Sequence, residues 1–192
     1  MSNQEKPNIN PGPLNELKQQ LQNSGVDVSK WGTRQAKTLQ HLLKEIKDGE
    51  TILVKNNEGK LLRENIVGNA IIYYISSEGK KYRLREEKQI FKDGRERQRA
   101  LFHVSEKIKT TEDPKEAMTR GIKEELGIKS EINLTQIDTN IELLISPSYP
   151  GLQTQYILHK FETILNDEQF KPEGFIEEQP DKSTYFVWEE VK

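Results

Sequence analysis

Apolar positions recur along the chain in two rhythms. From Leu14, LNELKQQLQNSG reads as a short helix stopped at Gly25, and TRQAKTLQHLLKEIKDG as a longer one with Thr33 as N-cap and Gly49 past its end. Ala36, Leu39, Leu42, Leu43 and Ile46 repeat at helical spacing, which gives the second helix one face for a core and leaves His41 on its surface. At residue 51 the period drops to two. TILVK and KLLREN flank NNEG as a hairpin, IVGNAIIYYIS and KYRLREEKQIF flank SEGK as another, and KDGR at 92–95 turns into RERQRALFHVSEKI. Beyond the helical EDPKEAMTRGIKEELGI lie the strands INLTQIDTNIELLIS, QTQYILHKFETI and STYFVWEEV. SPSYPGL forms a turn between the first two, and the polar NDEQFKPEGFIEEQPDK reads as a long loop before the last. The pattern predicts a tail over 1–13, a helical extension over 14–50 and a mixed α/β domain over 51–192.

Composition narrows the class. Hydrophobic residues make up 33% and charged residues 31% of 192, so the polar segments must be tail and solvated loop. The absence of cysteine excludes disulfides and Cys-based zinc sites and suits a reducing compartment. No apolar run approaches the roughly 20 residues of a membrane helix, and MSNQEKPNINPGP has no apolar signal core, so the expectation is a cytoplasmic protein without a membrane partner. A net charge of −2 argues against a globally basic nucleic-acid binder.

The stretch 112–128 carries the chemistry. Asp113 as N-cap, Pro114 at the first helical position, Glu116 at N3 and Gly127 as the stop predict a helix over 114–126 on local grounds. Residues 121, 124 and 125 share a face of such a helix, so Glu124 and Glu125 are expected to point the same way, against the unfavourable end of the helix dipole. A cation would compensate them; exposure to solvent beside Lys115, Arg120 and Lys123 is the plain alternative.

The stretch resembles the signature of the Nudix superfamily, G-x5-E-x7-R-E-U-x-E-E-x-G-U with U aliphatic, through Glu112, Arg120, Ile122, Glu124, Glu125, Gly127 and Ile128 in register. Two positions depart from it: the opening glycine falls on Glu106, and the first glutamate after the arginine on Gly121. VSEK, SYPGL and YFVWE are also similar to a Nudix-like group of cyanobacteria and plants. The resemblance implies a Nudix-like α/β/α sandwich with a mixed sheet, preceded here by the two helices. It further implies hydrolysis of a nucleoside diphosphate linked to another group, with Mg²⁺ or Mn²⁺ held by Glu124 and Glu125. Arg120 and Glu112 would then support those carboxylates. Glu106 is expected to reach into the space above Gly121 as a relocated metal ligand and catalytic carboxylate.

A second feature lies upstream. Residues 80–99 hold nine Lys or Arg against four acids, and Arg95, Arg97 and Arg99 alternate so that a strand would project all three on one face. Arg83 and Arg85 alternate likewise. Such a ladder suits substrate phosphates or an RNA backbone; a solvated sheet face is the plain reading, and no interleaved stacking aromatics accompany it. His103, His159, Trp31 and Trp188 read as packing residues, and Tyr149-Pro150-Gly151 as a turn. Two functions follow: a metal-dependent pyrophosphatase with a degenerate signature, acting on a small diphosphate substrate, or a non-catalytic regulatory module binding an anionic ligand or RNA in the same cleft.

Overall fold

The computed structural model describes residues 12–192. Among them are helices α1 (Pro13–Asn23), α2 (Leu39–Lys47) and α3 (Pro114–Leu126). The strands are β1 (Ile52–Lys55), β2 (Leu61–Ile75), β3 (Lys81–Phe91), β4 (Glu96–Arg97), β5 (Val104–Ile108), β6 (Thr135–Ile145), β7 (Gln153–Leu165), β8 (Phe175–Glu178) and β9 (Lys182–Glu190). The expected mixed α/β class is the one observed. The tail expected over 1–13 lies, up to residue 11, outside the described residues, and Pro13 already belongs to α1. Two compact units divide the chain: Met1–Glu64 with Leu143–Gln155, and Asn65–Glu142 with Tyr156–Lys192. None of the described helices is long and apolar enough to cross a membrane.

In the first unit, Leu17, Leu21, Val26, Leu42, Leu61, Tyr149 and Leu152 form a core on which Trp31 packs. The Trp31 indole N–H donates to the Pro150 carbonyl at 2.9 Å, and its ring lies 5.1 Å from that of Tyr149. The second helix starts later than its spacing predicts. Its N-cap is Thr38, not Thr33: the Thr38 hydroxyl accepts the His41 N–H at 3.2 Å and the His41 ring accepts the Thr38 N–H at 3.2 Å. Arg34 has φ 53°, a left-handed conformation incompatible with a helix, and the Lys37 N–H donates to Ser148 at 2.8 Å. β1 pairs antiparallel with the start of β2, Ile52 opposite Glu64 and Lys55 opposite Leu61.

The strand order is β6-β7-β2-β3-β9-β8, with β5 also on β2 and β4 on β3. β8 corrects the expected long loop: Phe175 is buried and sits opposite Phe186 of β9, in a four-residue strand too short to stand out between polar flanks. α3 has the expected bounds. The Asp113 carboxylate accepts the N–H groups of Lys115 and Glu116 at 2.9 and 3.0 Å, and Gly127 ends the helix at φ 64°. Its apolar face, Met118, Ile122 and Leu126, joins Ala70, Ile72, Leu84, Val104, Phe161 and Phe186 in the core. Gly68 of β2 permits this approach, since a Cβ there would stand 2.8 Å from Met118 Sδ. Gly68 lies opposite Glu106 of β5, which places Glu106 beside the helix.

Candidate active site

Glu106 and Gly121 are in contact. A Cβ added to Gly121 would meet Cβ, Cγ and Cδ of Glu106 at 3.0, 3.1 and 3.2 Å, so the Glu106 side chain fills the space that a side chain at 121 would need. The two departures from the signature are therefore reciprocal in space: where the pattern has glycine the chain has glutamate, and the reverse.

Arg120 gathers the surrounding carboxylates. Its Nη1 lies 3.2 Å from Glu106 Oε1 and 3.8 Å from Glu124 Oε2, and its Nη2 lies 3.3 Å from Glu112 Oε2. Glu112 also accepts the Lys109 N–H at 3.2 Å, closing the turn between β5 and α3. Burial raises the Glu106 pKa, against the Arg120 guanidinium and reinforced by Glu124 and Glu112.

Glu124 and Glu125 do not open on the same space, contrary to the expected shared direction, because consecutive helical residues diverge around the axis. Glu124 lines an open groove of about 850 Å³ with Asp113, Glu116 and Arg120, whereas Glu125 lines a polar cavity of about 200 Å³. That cavity is walled by Gln89 and Arg99 as well as by His103, Glu177 and Thr184. Burial pushes the Glu125 carboxyl up to about 8, and the charges of Glu177, Glu106 and Glu86 add to it against Arg99. Gln89 and Thr184 are buried and face each other across β3 and β9. Thr184 Oγ1 has no hydrogen-bond partner among the described residues. Sequence reasoning missed these groups, which come from strands distant in the chain.

The arginines separate. β4 holds only Glu96 and Arg97, so no single-faced ladder forms over 95–99. Arg95 pairs with Asp93 at 2.8 Å and Arg97 is exposed, while Arg99 makes a two-pronged contact with Glu86, its Nε donating at 2.7 Å and its Nη2 to the other oxygen. Arg83 stacks on Phe102 at 3.6 Å, and Arg85 lies 3.2 Å from Glu189. His103 is held below the usual imidazole value by burial and then by Arg99; His159, also lowered by burial, stands 3.2 Å from the Gln136 amide.

As placed, no three His, Asp or Glu side chains among the described residues are arranged to hold a metal ion. The donor chemistry nevertheless fits a hard divalent cation: beyond burial, the charges of Glu177, Glu106 and Glu86 raise the proton affinity of Glu125, a strain that a cation relieves.

No family model matches the chain, and no curated protein matches it. Among solved structures it is similar to a MutT/nudix family protein from Enterococcus faecalis, with 14% identity, TM-score 0.47, and coverage of 83% of this chain and 53% of that one. The chain thus spans about half the length of that protein. It is also similar to the NUDIX domain of Shewanella oneidensis NrtR complexed with ADP ribose (8% identity, TM-score 0.39, 65% of this chain and 71% of that one). A third is a C. elegans Ap4A hydrolase binary complex (15% identity, TM-score 0.37, 67% and 80%). The first two carry the family name that the pattern at 112–128 resembles.

Proposed function

We propose that the chain is a divalent-cation-dependent hydrolase of a diphosphate-containing metabolite, a nucleoside diphosphate joined to another group being the leading class. The observation that carries this reading is the Glu106 side chain lying over Gly121, which returns a carboxylate to a helix face that would otherwise lack one. Glu106 would hold Mg²⁺ or Mn²⁺ together with Glu124 on the groove side or with Glu125 on the cavity side, and the cation when bound would neutralise diphosphate oxygens and acidify a water. Arg120, touching Glu106, Glu112 and Glu124, orients the carboxylates. Glu125 keeps its proton to about pH 8 without a cation, so cation binding there is coupled to proton release. The cavity behind it offers the Gln89 amide and the Thr184 hydroxyl to a polar group of the substrate.

A specific observation favours a second reading. Arg120 already neutralises Glu106 and Glu112 without any cation, an arrangement that a non-catalytic module binding an anionic ligand would also tolerate. A panel of nucleoside diphosphate derivatives with Mg²⁺ and Mn²⁺, assayed beside calorimetric titration of the same compounds, separates them. Cation-dependent release of phosphate products supports the hydrolase. Binding without turnover under every cation supports the module.

A further inference from the structure

We propose that β6 is a homodimer interface, pairing antiparallel with β6 of a second copy about a two-fold axis through Thr139. The proposal is independent of the function assigned to the carboxylates. β6 ends the strand order of the sheet, and along 136–142 every residue but Asn140 is exposed, including Ile137 at 47% and Ile141 at 62%. A free edge with apolar side chains is a template for another strand unless something covers it.

The sequence of the edge says what covers it. Residues 136–142 read QIDTNIE, and antiparallel pairing centred on Thr139 sets Ile137 opposite Ile141, Asp138 opposite Asn140 and Gln136 opposite Glu142 of the second copy. Each acid meets its own amide analogue, so no like charges face each other, and the isoleucines pair across the junction. Register is determined as well. A two-fold axis perpendicular to the sheet keeps each side chain on its face, so the nearest alternatives move the centre by one residue. Centring on Asp138 sets that carboxylate against its own copy, and centring on Asn140 sets Asp138 against Glu142. Both place acid on acid. Lys160, 3.1 Å from Asp138, is the cation beside the junction.

Sedimentation of the full chain from low to high micromolar concentration tests the proposal. Wild type should show a concentration-dependent dimer. Asn140→Asp, which sets acid on acid twice per dimer, should weaken it about tenfold. Asp138→Asn combined with Asn140→Asp restores the acid–amide pairing and should recover the wild-type constant, an outcome that loss of folding could not mimic. A monomer at every concentration, or a dimer indifferent to Asn140→Asp, would overturn the proposal. So would a chain that dimerises only after removal of residues 1–11, since the edge would then be covered by its own N-terminus.

Discussion

Glu106 of β5 stands against Gly121 of α3, its Cβ 3.0 Å from where a Cβ on the glycine would be. A side chain at 121 must therefore displace Glu106. Gly121→Ala should destabilise the protein by about 1–3 kcal/mol through overpacking, although alanine favours a helix over glycine by about 1 kcal/mol. In a Glu106→Gly background, which removes all three of the opposing side-chain carbons, the same substitution should become neutral or stabilising. Thermal or denaturant melts of the four proteins in this cycle measure the coupling; additivity would show that the two sites are independent.

Glu125 predicts how stability depends on pH without a cation. Its carboxyl titrates near 4.5 when exposed and about 8 in the folded chain, so between these values the folded state holds a proton that the unfolded state has lost. Stability from this group is therefore complete below pH 4.5, falls as pH rises, and is lost above about 8. Glu106, raised in the same direction, adds to the trend. Glu125→Gln should flatten the fall and raise Tm at pH 8, at about 2–4 °C per kcal/mol. Mg²⁺ at that pH should stabilise wild type more than the variant. Parallel pH profiles for the two proteins would contradict the assignment.

Arg95, Arg97 and Arg99 look equivalent in sequence but not in the fold. Glu86 is 3% exposed and depends on Arg99, so Arg99→Gln leaves a buried carboxylate unpaired and should cost about 3–5 kcal/mol. Arg95→Gln and Arg97→Gln, both at exposed positions, should leave Tm unchanged. Thermal melts of the three single variants distinguish this division from a common role.

Much of the fold was legible because its signals are local. Asp113, Pro114 and Gly127 delimit α3, and alternating apolar residues with NNEG and SEGK mark the first hairpins. Signals that depend on distant partners were not legible. β8 is a strand only because β9 lies beside it, and α2 starts at Leu39 because Thr38 and His41 form a reciprocal cap. The buried Arg63–Glu45 pair, 3.2 Å apart in the first unit, had no local sign either. Within the candidate site, the meeting of Glu106 with Gly121 could be read from two opposite departures from one signature. The surroundings of Glu125 could not, since Glu86, Gln89, Glu177 and Thr184 reach it from β3, β8 and β9.

The exchange of glutamate and glycine between positions 106 and 121 is the central claim, and cation-dependent diphosphate hydrolysis in wild type and four variants tests it most directly. Glu106→Gln keeps the size but removes the charge, and should lower the rate by about two to four orders of magnitude. Gly121→Glu alone should not raise it, because Glu106 already occupies that space. Glu106→Gly combined with Gly121→Glu returns the carboxylate to the signature position and should recover most of the activity lost in Glu106→Gly. Glu106→Gln as active as wild type, or an inert wild type made active by Gly121→Glu alone, would contradict the account.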